Sequence, residues 1–491
     1  MTRRAVHSFV LVLAMIPGVS TSALAQDVDT PGVPRRPEKT VPLELGTSWP
    51  PGTVRPLYTN LPGDPTADVP GLPGVHFGPG TGTTHFDRIF GSPNGHWAIV
   101  ADTDLATTED EILFVDDVVL AREGTPTPWS PTENFGVFDT SLGVSDSGVV
   151  VFANNTDNPT TTADEYILGV ASGVDAFIVA QEGQPVGAAL PGATWGSTLD
   201  SPKIAATTNE FAFSSDAVLG VPTTEDELVI ANDILVAQEG VTVPTGQTGA
   251  EFWENFDIDD LWVDAAGMSF LVQGDLAGAT TADDVVVVDG GVVVQEGVIL
   301  PGSGFAEPVD AEGIVGVHMA PDGTWYVRGN NDVTELDWVF SNSGVVTSRG
   351  EPIHAGATEL WSDAEFADCY FLHVGDGNGN FVIGGVSDGP ATSNGVLVLN
   401  DTWVIAREGQ PFDLDGNGLF DDDTFFNTFG NDDGYLSDGG YFYFTATIQD
   451  GADVTIGQGL FRIDLRCLLG ILPFTDDFES GDTSAWCAVQ L

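Results

Sequence analysis

The side chains best placed for chemistry lie in one short acidic loop. Oxygen-bearing residues stand at positions 1, 3, 5 and 9 of this loop and Gly418 at position 6, which is the spacing of an EF-hand-type Ca²⁺ loop. Position 12 is Thr424 instead of the usual glutamate, and an aspartate falls one residue early. The spacing predicts a Ca²⁺ ion that stiffens the loop, with a solvated acidic loop as the alternative. The predicted ligands are Asp413, Asp415, Asn417, Asp421 and Asp423.

Two further sets of acids recur along the chain. Glutamates at the ends of apolar segments would form a cation-binding ring if those segments faced one opening; the alternative is that each caps its own turn by accepting backbone N–H groups. Aspartates in polar turns serve either to keep exposed turns soluble or to bind metal. The glutamates are Glu123, Glu182, Glu239, Glu296 and Glu408, and the aspartates are Asp110, Asp164, Asp226 and Asp283.

Four tryptophans fall in the loops that follow the recurring glutamates. Aromatic rings at such positions would either stack on a sugar or pack between neighbouring structural units. The sequence leaves both roles open. These candidate ligand-facing residues are Trp129, Trp195, Trp253 and Trp361.

Common catalytic signatures are missing from the sequence. The histidines are scattered, and no Gly-x-Ser-x-Gly elbow, phosphate-binding loop or Cys-x-x-Cys motif occurs. With 73 acidic residues, no carboxylate pair stands out as the pair of a glycosidase. The sequence therefore does not favour an enzyme, although it leaves a hydrolase open.

All of these residues belong to a repeat of about 57 residues, which is the signature of a repeat architecture. In most units an apolar segment ends in Ala-Arg-Glu-Gly or a close variant, and proline often follows two positions later. We call the glycines that mark the units the landmark glycines. They are Gly63, Gly124, Gly183, Gly240, Gly297, Gly350 and Gly409.

Each unit reads as four short antiparallel strands. Asn-Gly and Asp-Gly turns alternate with β-branched apolar runs, and helical periodicity is missing. Four strands per unit and seven landmarks predict an all-β propeller of seven blades. The last unit lacks its final strand, and a strand near residues 53–60 would supply it and close the ring. An eight-bladed ring and an open β-solenoid are the alternatives.

The two ends of the chain differ from the repeats. Residues 1–25 combine a basic start, a short apolar run and a small-x-small site, which predicts a secretory signal peptide. Residues 26–50 are rich in proline and charge and predict a disordered leader. The propeller is expected over residues 51–466, followed by a tail over 467–491. We expect no transmembrane segment, and a protein that is secreted, periplasmic or on the cell surface.

Three cysteines are too few for a disulfide framework. Cys467 and Cys487 would pair across the tail in an oxidising compartment. Three unpaired thiols are the alternative.

The charge balance excludes some partners. The chain has 14 basic and 73 acidic residues, a formal net charge of −59, and loss of residues 1–25 with their two arginines would change this to −61. Such a surface repels nucleic acid and anionic lipid and attracts cations. We therefore expect no nucleic-acid partner.

The repeated phrase resembles that of a group of exported bacterial tandem-repeat proteins with no established activity. The resemblance covers most of residues 55–466 and implies a propeller-like fold, but no chemistry. The segment Asp477-Phe478-Glu479-Ser480-Gly481-Asp482 through Trp486 resembles a tail found on secreted proteins of Gram-negative bacteria. Cys487 stands where that tail often has serine, so a sorting role does not carry over directly.

Taken together, the sequence predicts a monomeric, exported, non-catalytic propeller stabilised by Ca²⁺. The expected ligand is a polysaccharide or an extracellular protein held by loops on a rigid ring. The alternative is a secreted carbohydrate-active hydrolase with its site in the propeller channel.

Overall fold

The protein is an all-β propeller of seven blades, each built on a sheet of four antiparallel strands. This confirms the fold expected from the repeat. The computed structural model describes the chain in six stretches, which are residues 54–78, 85–171, 174–257, 260–362, 368–417 and 419–471. The expected signal peptide and leader, and the tail after residue 471, lie outside the described residues.

Strand bounds follow the repeat, with the innermost strand of each blade first in the chain. An N-terminal strand, β1 (Val54–Thr59), precedes all the blades and is followed by a short 3-10 turn at Pro65–Ala67. Blade 1 contains β2 (Phe90–Gly91), β3 (Trp97–Asp102), β4 (Glu111–Val115) and β5 (Val118–Arg122). Blade 2 contains a short edge strand β6 (Pro126–Thr127), then β7 (Ser130–Val144), β8 (Val149–Thr156), β9 (Glu165–Ala171) and β10 (Val174–Gln181). Blade 3 contains β11 (Thr198–Ile204), β12 (Phe211–Asp216), β13 (Leu228–Ala231) and β14 (Ile234–Gln238).

The remaining blades repeat this arrangement. Blade 4 contains β15 (Leu261–Val263), β16 (Phe270–Asp275), β17 (Asp284–Val288) and β18 (Gly291–Gln295). Blade 5 contains β19 (Val309–Met319), β20 (Trp325–Asn331), β21 (Trp338–Ser341) and β22 (Gly344–Ser348). Blade 6 contains β23 (Tyr370–Gly375), β24 (Phe381–Val386), β25 (Gly395–Leu399) and β26 (Trp403–Arg407). Blade 7 contains β27 (Phe425–Leu436), β28 (Tyr441–Gln449) and β29 (Thr455–Asp464).

The ring is closed by the two ends of the described chain. Blade 7 has the strand order β1-β29-β28-β27, so the N-terminal strand supplies its outermost position. Val54 lies opposite Ile463, and Thr59 lies opposite Gly459. This pairing confirms the closure predicted from the missing last strand, and it covers a sheet edge that would otherwise be open.

The landmark glycines are required by backbone conformation. All seven have positive φ, between 64° and 87°, a region that side chains other than glycine rarely adopt. At Gly240 a Cβ atom would also lie 2.1 Å from the carbonyl oxygen of Thr224. The N–H of Gly240 donates to the carbonyl oxygen of Trp253, at 2.9 Å, at the start of the next blade. The repeated phrase therefore ends one blade and fastens it to the next.

The turns that connect the strands of each blade have recurring geometry and hydrogen bonds. In blades 1, 3 and 4 the hairpin between the third and fourth strands places both central residues at positive φ, as at Asp116 and Asp117 or at Asn232 and Asp233, which is the geometry of type I′ turns. Turns after the innermost strands hydrogen-bond around the ring. The Asn94 N–H, for example, donates to Asp146 in the next blade at 2.9 Å.

Apolar cores lie between adjacent sheets. The largest side chains that are fully buried include Phe426, Phe444 and Phe461 of blade 7, whose ring centroids are 5.0 to 5.7 Å apart. Cys369 is also buried, and Cys467 is disulfide-bonded, whereas its expected partner Cys487 lies outside the described residues. Within the described stretches, no helix is long and apolar enough to span a bilayer.

Candidate functional site

The predicted Ca²⁺ loop lies between β26 and β27 and brings three carboxylates together. Ligand oxygens of Asp413, Asp415 and Asp422 lie within 4.8 Å of one another, close enough for one cation. Asp413 is buried, whereas Asp415 is exposed. The Asn417 backbone N–H donates to Asp413 at 3.1 Å and to Asp415 at 3.0 Å, which holds the loop around these oxygens.

Two predicted ligands are placed differently from expectation. Asp423 turns away from this group, because its Oδ1 accepts the N–H of Gly451 at 3.1 Å. Asp421 is reached by the Asn417 amide at 3.3 Å and is not one of the three clustered carboxylates. Asp422 is the third carboxylate of the cluster, although the EF-hand spacing does not predict a ligand there. Nothing in the spacing distinguishes three consecutive aspartates, because only the loop path decides which one points inward.

Three of the four candidate tryptophans are buried between blades. Trp195, Trp253 and Trp361 are 5%, 3% and 2% exposed, so little ring surface is left for a ligand. Each carbonyl oxygen accepts the N–H of the preceding landmark glycine, at 2.9 Å. Trp129 is partly exposed and packs 5.2 Å from Tyr166. Of the two roles that the sequence left open, packing between neighbouring blades is the one that the three buried tryptophans have.

The recurring glutamates are tied to their own blades. Oε2 of Glu296 accepts the N–H of Asp284 at 3.4 Å, and Oε2 of Glu408 accepts that of Gly395 at 3.2 Å. Glu239 bonds the Asp226 N–H in the same way, at 3.2 Å. These bonds join the end of the fourth strand to the start of the third, which is the structural role considered for the repeat.

Several blades nevertheless collect carboxylates at these positions with no basic partner. In blade 4, burial and nearby acids raise the pKa of Asp284 to about 9; those acids are Asp257, Glu296 and Asp275. In blade 3, the same causes raise the pKa of Glu227 to about 8. Burial is the first cause in both cases, since it disfavours the charged form.

Blade 5 differs because Arg349 replaces the recurring glutamate. The Arg349 N–H donates to the carbonyl oxygen of Asp337 at 2.9 Å, which is the same backbone bond that Glu296 makes to Asp284. The Arg349 guanidinium lies 3.9 Å from the Asp337 carboxylate. Blade 5 therefore carries a fixed positive charge where blade 4 gathers acids.

Blade 6 differs again and contains a cavity of about 340 Å³, which we call the Phe371–Phe429 pocket. Its walls come from blades 5, 6 and 7. They include Arg328, Asp368, Phe371, Asn394, Gly395, Glu408, Asn427, Thr428, Phe429 and Asn431. This volume is in the range of about 300 to 1,000 Å³ found for small-molecule pockets.

One edge of the pocket is a glycine at a position where several other blades have an acid. Gly395 begins the third strand of blade 6. Blades 1, 2 and 4 begin this strand with Glu111, Glu165 and Asp284, and in blade 3 Glu227 directly precedes it. A Cβ atom on Gly395 would lie 3.5 Å from Glu408 and 3.7 Å from Phe429, so a side chain there would project towards both. Its absence leaves the space open.

The walls of the pocket are aromatic on one side and polar on the other. Phe371 and Phe429 stack at 6.1 Å with their planes 20° apart, and both are partly exposed. Arg328 is 2% exposed and already has partners within the protein. It forms an ion pair with Asp432 and donates to the Tyr370 carbonyl oxygen at 2.8 Å. The pocket thus offers rings, amides, a hydroxyl and carboxylates, but no spare positive charge.

Sequence reasoning missed this pocket. The two phenylalanines lie on the inner strands of different blades and are 58 positions apart, so no local motif joins them. The one available signal was the loss of an acid at Gly395 from an otherwise regular repeat position.

The central channel holds a second and smaller cavity, of about 80 Å³. Phe90, Lys203, Trp262 and His318 lie along it. Burial, and then the charge of Arg88, lower the pKa of His318 to about 3, so the imidazole is neutral at ordinary pH. Most of the remaining channel wall is apolar or glycine.

Comparisons with known proteins show no family. No protein-family model and no curated protein matches the chain. Among solved structures, polysaccharide lyase Uly1 is 12% identical at a TM-score of 0.37, over 85% of this chain and all of that one. The α-L-arabinanase of Penicillium chrysogenum is 11% identical at 0.27, over 83% and 98%. Prolyl oligopeptidase B of Galerina marginata is 10% identical at 0.34, over 78% of this chain.

This chain spans 48% of that oligopeptidase. All three TM-scores are below 0.5, so these similarities carry no information about what the chain binds.

Proposed function

We propose that this protein is an exported, non-catalytic propeller that binds a neutral glycan in the Phe371–Phe429 pocket. The observation that carries the proposal is the pocket itself, which Gly395 lines without a side chain where several other blades have an acid. Sugar rings present C–H groups to aromatic side chains and hydroxyl groups to amides and carboxylates. Phe371 and Phe429 supply the first kind of wall, and Asn427 and Glu408 belong to the second.

Charge supports a neutral ligand over an acidic one. The Arg328 guanidinium is neutralised by Asp432, and Asp368 and Glu408 add negative charge to the wall. The whole chain has a formal net charge of −59, which repels a polyanion before it reaches the pocket. Carboxylates accept hydrogen bonds from sugar hydroxyls without needing a charged ligand.

Export and Ca²⁺ binding complete the proposal. Export rests on the signal-peptide pattern of residues 1–25. A Ca²⁺ ion bound by Asp413, Asp415 and Asp422 would neutralise three neighbouring carboxylates and stiffen the chain where it enters blade 7. We expect this ion to act on stability and not on chemistry, with the protein functioning as a monomer.

A hydrolase with a site in the channel is the second candidate. The channel region brings Arg88 near Asp433, whose pKa is raised to about 6 by burial, and Asp87, whose pKa is raised to about 7 by the same cause. Carboxyl groups of this kind suit general acid catalysis near neutral pH. The channel cavity, however, has less than a quarter of the volume of the pocket.

The test is retention on polysaccharides with and without the pocket. Purified protein would be incubated with insoluble neutral polysaccharides, and both retention and new reducing ends would be measured. We expect retention without new reducing ends. Gly395→Glu should abolish retention, because it places in blade 6 the side chain that blades 1 to 3 carry at this position.

Ala452→Glu is the matched control, because it adds the same charge at an exposed turn of blade 7. Equal retention by Gly395→Glu and the unaltered protein would contradict the pocket as the binding site. New reducing ends that survive in Gly395→Glu would instead favour the channel hydrolase.

A further inference from the structure

The centre of the channel gathers positive charge in a strongly acidic protein. Arg88 lies on the segment that leads into β2, and Lys203 lies on β11. The Arg88 Cζ is 5.4 Å from the Phe90 ring centroid and 5.2 Å from that of Trp262. The Lys203 Nζ is 4.7 Å and 5.4 Å from the same two rings. Two cationic side chains therefore contact the same two aromatic rings.

Arg88 stands apart from the other arginines in its contacts. Among the described residues it makes no hydrogen bond or ion pair, and its direct contacts are with the two rings. Arg328, Arg407 and Arg466, in contrast, lie within 2.8 Å of carboxylates. A guanidinium has five N–H donors, and none of those of Arg88 is among the enclosed polar atoms of the described residues, so they are open to a ligand in the channel.

Asp433 does not supply an acceptor to Arg88. The charge of Arg88 lowers the pKa of Asp433 against the larger effect of burial, which places the two groups near each other. Asp433 nevertheless accepts the Thr445 hydroxyl at 3.0 Å, and no ion pair with Arg88 is formed within 4.0 Å.

A second donor in the same place has no acceptor. The indole Nε1 of Trp262 is enclosed and has no hydrogen-bond partner among the described residues. Trp262 also lines the channel cavity together with Phe90 and Lys203. Lys203 itself is 4% exposed, and its ammonium group donates to the Ser141 hydroxyl.

We propose that the channel centre binds a small carboxylate, held by the Arg88 guanidinium and the Trp262 N–H with Lys203 supplying further positive charge. A carboxylate offers two oxygens and a negative charge, which matches a guanidinium and a neighbouring N–H donor. Lys203 and Trp262 line the cavity of about 80 Å³, and Arg88 lies beside it against the Trp262 ring; this volume admits a small ligand and not a polymer. This site does not depend on the Phe371–Phe429 pocket.

The experiment is calorimetric titration of the whole protein with sodium acetate, with acetamide as the neutral counterpart of the same size. We expect acetate to bind and acetamide not to bind at the channel. Arg88→Gln should weaken acetate binding at least about tenfold, because it removes the charged N–H donors that bind a carboxylate. Trp262→Phe keeps a ring but removes the N–H, and it should weaken binding by a few-fold.

Arg122→Gln is the matched control, because Arg122 is paired with Glu109 on blade 1 and is not one of the two cations that contact the Phe90 and Trp262 rings. It should leave acetate binding unchanged, as should Gly395→Glu. Three outcomes would overturn the proposal: no heat from acetate with the unaltered protein, equal binding of acetamide, or unchanged affinity in Arg88→Gln. Loss of glycan retention in Gly395→Glu with acetate binding intact would separate this site from the proposed function.

Discussion

The acid cluster of blade 4 predicts an unusual dependence of stability on pH. Burial and neighbouring carboxylates raise the pKa of Asp284 from 3.8 to about 9 in the folded protein. Between these values the folded state keeps a proton that the unfolded state releases, so the free energy of unfolding falls as pH rises from about 4 to about 9. Above pH 9 this loss is complete, and below pH 4 the group contributes nothing.

The magnitude follows from the same linkage. One pKa unit corresponds to about 1.4 kcal/mol, so the full shift would cost about 6 kcal/mol at pH 8. Because water reaches part of the Asp284 side chain, solvent screening reduces this figure, and we expect about 2 kcal/mol. Asp284→Asn removes the ionisation and keeps the shape. It should therefore stabilise the protein by about 2 kcal/mol at pH 8 and by less than about 0.5 kcal/mol at pH 4.5.

The assay is urea unfolding at both pH values in the presence of EDTA, so that no metal ion neutralises the cluster. Glu254→Gln is the control, because it removes one negative charge at an exposed position of the loop that leads into blade 4. It should change stability little at either pH. The reasoning fails if Asp284→Asn stabilises equally at both pH values, or if it destabilises the protein at pH 8.

Three further changes have outcomes that the structure predicts. Arg349→Gln should destabilise the protein at pH 7 by about 1–3 kcal/mol in urea unfolding, because it removes the positive charge that lies 3.9 Å from the buried Asp337 carboxylate. Asp422→Asn should reduce the rise in melting temperature on adding Ca²⁺, whereas Asp423→Asn should not; an equal effect of the two would contradict the inward position of Asp422. Gly240→Ala should lower the melting temperature, since its Cβ would meet a carbonyl oxygen at 2.1 Å with φ at +64°, and an unchanged value would refute this account of the landmark glycines.

The propeller and its closure could be predicted from the sequence because both depend on local backbone rules. A glycine with positive φ, a type I′ turn and an alternating apolar strand can each be recognised from a few consecutive residues. The repeat shows each of these patterns several times. The closing strand could be predicted because one unit lacked its last strand.

The candidate sites were decided by tertiary structure, since they join residues from different blades. Phe371 and Phe429 form one pocket only because adjacent blades pack side by side and Gly395 leaves the space between them empty. Arg88 and Trp262 meet only across the channel.

The same contrast applies to the acidic loop. Spacing identified the acidic loop, because Asp413 and Asp415 alternate along a short segment. It did not select Asp422 over Asp423, since consecutive residues point in different directions and only the path of the loop decides which one faces inward. The repeat, its turns and the need for a closing strand were thus set by the sequence alone, whereas the pocket and the channel site, which join side chains of different blades, were set by how the blades pack around the ring.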